Sequence, residues 1–156
     1  MAYQKLQAGR AWAVNKSDNT DIPNIGIAGP TGATTTGSAT QLIDSSATFL
    51  TSGVKLNMIV VNTTDNTQAV VIGIEDDNTL TVSANIFAVS GKNYAIYGGD
   101  QEGAVLYIGT AGNLKVTTVA GDEVTFQGVN TGAFFPVNVT KVFATGTSAD
   151  NIIALW

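Results

Sequence analysis

The sequence predicts an all-β chain: an antiparallel β-sandwich or barrel base carrying an inserted, small, barrel-like β-module. Three observations predict it. Apolar and polar residues alternate with a period of two, and a helical period is almost absent. Short runs rich in Val, Ile and Thr recur about every ten residues. Gly, Asn and Asp mark the breaks between them.

In chain order the predicted strands cover residues 11–15, 59–62, 69–74, 80–83, 94–97, 104–108, 114–118, 124–127, 137–144 and 152–155. In "NLKVTTV" Leu114, Val116 and Thr118 alternate with Lys115 and Thr117, and β-branched Thr and Val favour the pleated chain. Ala120-Gly121-Asp122 is a turn, after which Val124 and Phe126 resume the alternation. The glycines of "YIGTAG" (107–112) invite comparison with a phosphate loop, but such a loop must open a helix whose amides face the anion. A strand follows instead, so the segment reads as a hairpin turn. The one helical candidate is "SSATFLT" (45–51), with Asp44 as N-cap, Gly53 as stop and Phe49 turned to the core.

Two breaks divide the chain. Residues 25–40, "IGIAGPTGATTTGSAT", read as a linker, and 98–103, "GGDQEG", as a second interruption. They give a base from residues 1–30 plus 99–156, with an N-terminal arm, and an outward-facing inserted module at 31–98. "DNT" occurs at 18–20, 65–67 and 77–79 with unrelated flanks, which is turn chemistry and no internal repeat.

Composition limits function. The 156 residues include no cysteine and no histidine, which removes thiolate chemistry, the commonest zinc and iron ligands and any histidine base. A net charge of −5 argues against a nucleic-acid partner. Only 12% of residues are charged, with Thr, Ser, Asn and Gly covering the surface, as suits a chain packed against copies of itself or a larger assembly. No apolar run is long enough for a transmembrane helix, and the start "MAYQKLQAGRAWAV" has no signal-type pattern. Membrane contact is therefore not expected.

Glu75-Asp76-Asp77 is the densest acid cluster, but consecutive acids lack the alternating ligand spacing of a calcium loop. No metal, cofactor or catalytic residue is assigned. The arm carries Lys5, Arg10 and Lys16 before any acid appears, three of the seven basic residues. With Trp12 and Trp156 these are the candidate anchoring residues, against the simpler reading of a frayed terminus.

"SDNTDIP" (17–23), "LYIGTAGNLKVTTVAGDEVTF" (106–126) and "FPVNVTKVFATGTSADNIIALW" (135–156) together resemble a β-domain recurring in tailed-phage virion proteins of the spike-base and head-decoration type. In that family an S-D-x-x-D-[LI]-P stretch precedes an LYVGTAG-type strand, and an ATGT turn leads to a final IVALY-type strand. Here about eighty residues separate the first two, which fits an insertion. The stretches "QLIDSSATF", "GVKLNMIVVNTTDNTQAVVIGIEDDNTLTVSANIF" and "KNYAIYGG" resemble a small β-module of phage structural proteins, with Asn57-Met58 where Gly-Asp is usual. The resemblance implies a non-enzymatic virion protein: a capsid decoration or cement protein acting as a homo-oligomer, a trimer, on the major capsid protein at the capsid surface. The alternatives are a tail or spike-base component, or a carbohydrate-binding adhesin using Tyr94 and Tyr97.

Overall fold

The computed structural model describes residues 8–98 and 103–156. The chain is all-β and divides into two compact units, Met1–Ile22 with Glu102–Trp156, and Pro23–Gln101. Each unit is built on one six-stranded antiparallel sheet.

The first unit contains β1 (Ala11–Ala13), β8 (Ala104–Thr110), β9 (Gly112–Thr118), β10 (Glu123–Val129), β11 (Phe134–Val142) and β12 (Asp150–Leu155), in spatial order β1-β12-β8-β11-β9-β10. Its core takes one face of these strands: Leu106 and Ile108, Leu114 and Val116, Val139 and Val142, Ile152 and Ala154, all buried. Alternation in the sequence selects this face directly in β8, β9 and β12, while in β11 a register shift brings Val139 and Val142 to the same side. Only β9 and β10 form a tight hairpin, through Gly121 at φ +91°, a left-handed conformation that suits glycine.

The second unit contains β2 (Asn24–Ala33), β3 (Gln41–Ile43), β4 (Ile59–Asn62), β5 (Thr67–Ile74), β6 (Thr79–Val82) and β7 (Asn93–Gly98), in order β2-β7-β4-β5-β6-β3. β4 is central and buried at all four positions, which is why its sequence, Ile-Val-Val-Asn, shows no alternation. Buried Asn62 ends it with every polar atom occupied. Its Oδ1 accepts from the Thr64 and Asp65 N–H groups, and its Nδ2 donates to Asp65 Oδ2 and the Ile86 carbonyl. The core gathers Leu42, Phe49, Val60, Val71, Leu80, Phe87 and Ile96.

Neither sheet closes into a barrel. In the second, an isolated bridge from Thr36 to Ile43 links the chain beyond β2 to β3, but no ladder follows. The helix expected at 45–51 is absent. Asp44 and Gly53 provide the punctuation, with Ser46 N–H bonded to Asp44 Oδ1 and Gly53 at φ +76°, but between them lie turns. Asp77 Oδ1 takes the Leu50 and Thr51 N–H groups, so the segment is shaped by a neighbouring hairpin rather than by helical bonding. Phe49 is fully buried in the core.

The segment read as a linker at 25–40 is largely β2. Its small residues reflect close packing on β7: a Cβ at Gly32 would sit 2.6 Å from both Asp44 Oδ2 and Tyr94 Oη. Pro30 is accommodated because β2 lies at an edge of the sheet, and two register shifts break its period. The first crossing between units thus falls at Ile22–Pro23 instead of near residue 30. Of the second break, residues 99–102 lie outside the described residues.

Candidate interaction site

In the first unit, segments far apart in sequence are tied by polar contacts. Ser17 Oγ accepts the N–H groups of Asn19 and Thr20, a local turn that presents the Asp18 carboxylate. Asp18 then receives two bonds from Thr145, the backbone N–H at 2.9 Å and the hydroxyl at 2.7 Å. These bonds, the backbone one first, hold Asp18 below its ordinary pKa of 3.8. Asp21 shifts the other way, because burial outweighs the attraction of Lys141 3.7 Å away. Lys141 and Lys115 both lie over the Phe143 ring, at 5.3 and 4.3 Å.

The Asp18 geometry has a pH consequence. A carboxylate with a depressed folded-state pKa contributes stability above its unfolded value, and that contribution is lost as pH falls through the lower folded value. Asp18→Asn should lower the melting temperature at neutral pH and flatten the acid decline below about pH 4. Melting curves of both proteins across the acid range check this; parallel curves would remove Asp18 from the acid response.

The "GTAG" segment is not a hairpin, contrary to the sequence reading. β8 and β9 are not neighbours: both pair with β11, β8 along its first half and β9 along its second. The glycines are needed because backbone crowds them. A Cβ on Gly109 would lie 2.5 Å from the Asn151 carbonyl oxygen, and one on Gly112 2.6 Å from the Ser148 carbonyl carbon. Ser148 and Ala149 N–H both donate to the Asn113 carbonyl. No helix follows, so the backbone presents no phosphate cradle.

The arm candidates are distributed differently from expectation. Trp12 sits in β1 opposite Ala154, and the Arg10 and Trp156 backbones exchange hydrogen bonds. Residues 9–14 are thus bonded along β12 and its end, and are not a frayed end. Trp156 packs on the unit's own core. Lys16 donates to the Ala149 carbonyl at 3.1 Å and lies 3.5 Å from Asp150, so its charge is engaged within the chain. Arg10 is exposed. Lys5 lies outside the described residues.

In the second unit a cleft of about 470 Å³ is lined by β2, the 44–48 turns, Ser52 and Tyr94. On its wall buried Asp44 accepts the Tyr94 hydroxyl at 2.8 Å. Burial first, and then the Asp44 bond and charge, push the Tyr94 phenol well above its ordinary range. The phenol therefore stays a proton donor, an internal lock rather than an acid or nucleophile. Tyr94 is 2% exposed, which corrects its assignment as an exposed glycan-stacking residue, while Tyr97 is half-buried.

The Glu75-Asp76-Asp77 carboxylates diverge, to the Thr81 hydroxyl, the Asn78 N–H, and the Leu50 and Thr51 N–H groups. No group of three potential metal ligands occurs among the described residues. No helix among the described residues is long and apolar enough to cross a membrane. Sequence reasoning missed Asp18–Thr145, for which no spacing rule exists, and the exposed Phe134. The adjacent pair Phe134-Phe135 was a signal, since consecutive strand residues face opposite sides.

No family model, curated protein or solved structure matches this chain.

Proposed function

We propose that the chain is a structural protein of a tailed-phage virion, a capsid decoration protein that binds the major capsid protein as a homo-oligomer, a trimer. One observation carries the reading. But for Pro23, the three segments resembling the virion β-domain lie in the same compact unit, and their motif residues touch: Asp18 of "SDNTDIP" binds Thr145 of "ATGT", and Gly112 of "YIGTAG" packs on Ser148-Ala149. The second and third segments supply most of β8 to β12 and the first is tied to them through Asp18; chance matches scattered over a chain have no reason to interlock. In this reading the protein does no chemistry and stabilises the shell by burying surface across subunit joints.

A tail or spike-base position follows from the same resemblance, and copy number separates the two. Quantitative mass spectrometry of purified particles should find this chain at a copy number near that of the major capsid protein. A handful of copies moves it to the tail, and absence from particles overturns the virion reading. The glycan-binding alternative loses one of its two candidate residues with the burial of Tyr94.

A further inference from the structure

Part of the outward face of the first sheet, over β1, β12, β8 and β11, is as apolar as the inward face behind it. Along paired positions the inward row is Trp12, Ala154, Leu106 and Phe135, with the last three buried. The neighbouring row on the opposite face is Ala13, Ile153, Tyr107 and Phe134, one residue from each of β1, β12, β8 and β11. Beside it runs a second outward row, Ala11, Leu155 and Val105. No position in either row is charged or carries an amide. A sheet with one wet face alternates apolar-in with polar-out, and these two rows do not. Phe134 is 68% exposed, its ring 5.4 Å from that of Tyr107, and both alanines are exposed. None of the seven residues belongs to the unit's core cluster.

We propose that this face is where a second copy of the chain docks, sheet face against sheet face. The proposal rests on the self-association in the preceding reading but makes its contact a two-fold pair, which a trimer alone does not contain. Charge selects the occupant. Copies carrying −5 repel wherever their acids face one another, and this patch is a place where neither copy brings a charge. A partner presenting charged groups would bury them unpaired against Ile153 and Phe134, which is costly. A copy of the same face leaves nothing unpaired, and a two-fold interface is self-complementary by construction.

Area sets the strength. Seven outward positions, on strands about 4.8 Å apart and about 6.8 Å apart along each strand, span roughly 230 Å², under a third of what one partner contributes to a standard interface. A patch of that size makes a small interface and a weak association.

Analytical ultracentrifugation of the full chain tests the proposal. The unaltered protein should associate reversibly at ~100 µM, and Phe134→Lys should weaken that association at least tenfold while leaving the circular dichroism spectrum unchanged. A second measurement does not depend on how that variant folds. The chain has no cysteine, so Tyr107→Cys supplies a single reporter. Sheets stack about 10 Å apart, so a bismaleimide of that reach should join two Tyr107→Cys chains and leave an Ala120→Cys control unjoined. Association with equal cross-linking of both cysteines, or association unaffected by Phe134→Lys, overturns the choice of face alone. A strictly monomeric protein overturns the face and the self-association together.

Discussion

Replacing Gly112 with alanine is expected to lower the melting temperature of the first unit by roughly 12–24 °C, the equivalent of about 3 kcal/mol in a domain of this size. The effect is steric. Gly112 has no left-handed φ, so alanine is tolerated by its own backbone angles. The added methyl, however, would stand 2.6 Å from the Ser148 carbonyl carbon and closer still to Ala149 N. These are backbone atoms, held in place by the two hydrogen bonds from Ser148 and Ala149 to the Asn113 carbonyl. A side chain could rotate away, but here a strand connection has to move, which places the cost at the upper end for overpacking. Gly121→Ala is the informative comparison: at φ +91° with nothing within 4 Å of the added methyl, it carries backbone strain alone, about 1 kcal/mol. Thermal melts of the two variants should differ severalfold in shift. If Gly112→Ala melts within a few degrees of the unaltered chain, the close approach of the two motifs does not hold the unit together.

That contrast also shows what the sequence could and could not reveal. A glycine-rich connector between two strands is legible, but the reason for its glycines is a contact with residues more than thirty positions away. A hairpin and a one-residue bend between strands of the same direction share the same local chemistry, and only the placement of β11 between β8 and β9 distinguishes them. Residues 59–62 were legible because a short run apolar on both faces suits a central strand and little else. β2 was illegible for the converse reason. Gly29, Pro30 and Gly32 satisfy an edge position packed tightly against β7, and in sequence they look like a linker. The same limit applies to the outward face. In "AVLYI" every residue is apolar, so alternation cannot say which side is wet, and the exposure of Phe134 and the two alanines becomes visible only once the strands are registered. Among the anchor candidates, Trp12 and Trp156 join the unit's own sheet and core. Charge was a poor guide for Lys16, because Asp150 and the Ala149 carbonyl, which engage it, lie far along the chain.

Excising the second unit is expected to leave the first folded. The two ends of that unit meet: Asn24, the first residue of β2, is the registered partner of Gly98, the last of β7. The chain therefore leaves and returns at nearly one point, and a short linker can replace everything between, since closing a small loop costs little. The cut must respect β2. Removing residues 31–98 alone would strand the first seven residues of β2 without β7, exposing an unpaired apolar strand. Replacing residues 24–98 with a few Gly and Ser residues removes the whole second sheet and none of the first. The shortened protein should retain the Asp18–Thr145 contact, melt cooperatively, and show the same large loss from Gly112→Ala as the full chain. It should also keep the concentration-dependent association, because every residue of the outward apolar face lies on strands of the first unit. The excised second unit has its own core around Phe49, Phe87 and Leu80, and its thermal transition can be measured separately. An unfolded or aggregated product from the 24–98 replacement would show that the first sheet depends on the second for its stability. The two units would then have to be treated as one cooperative body.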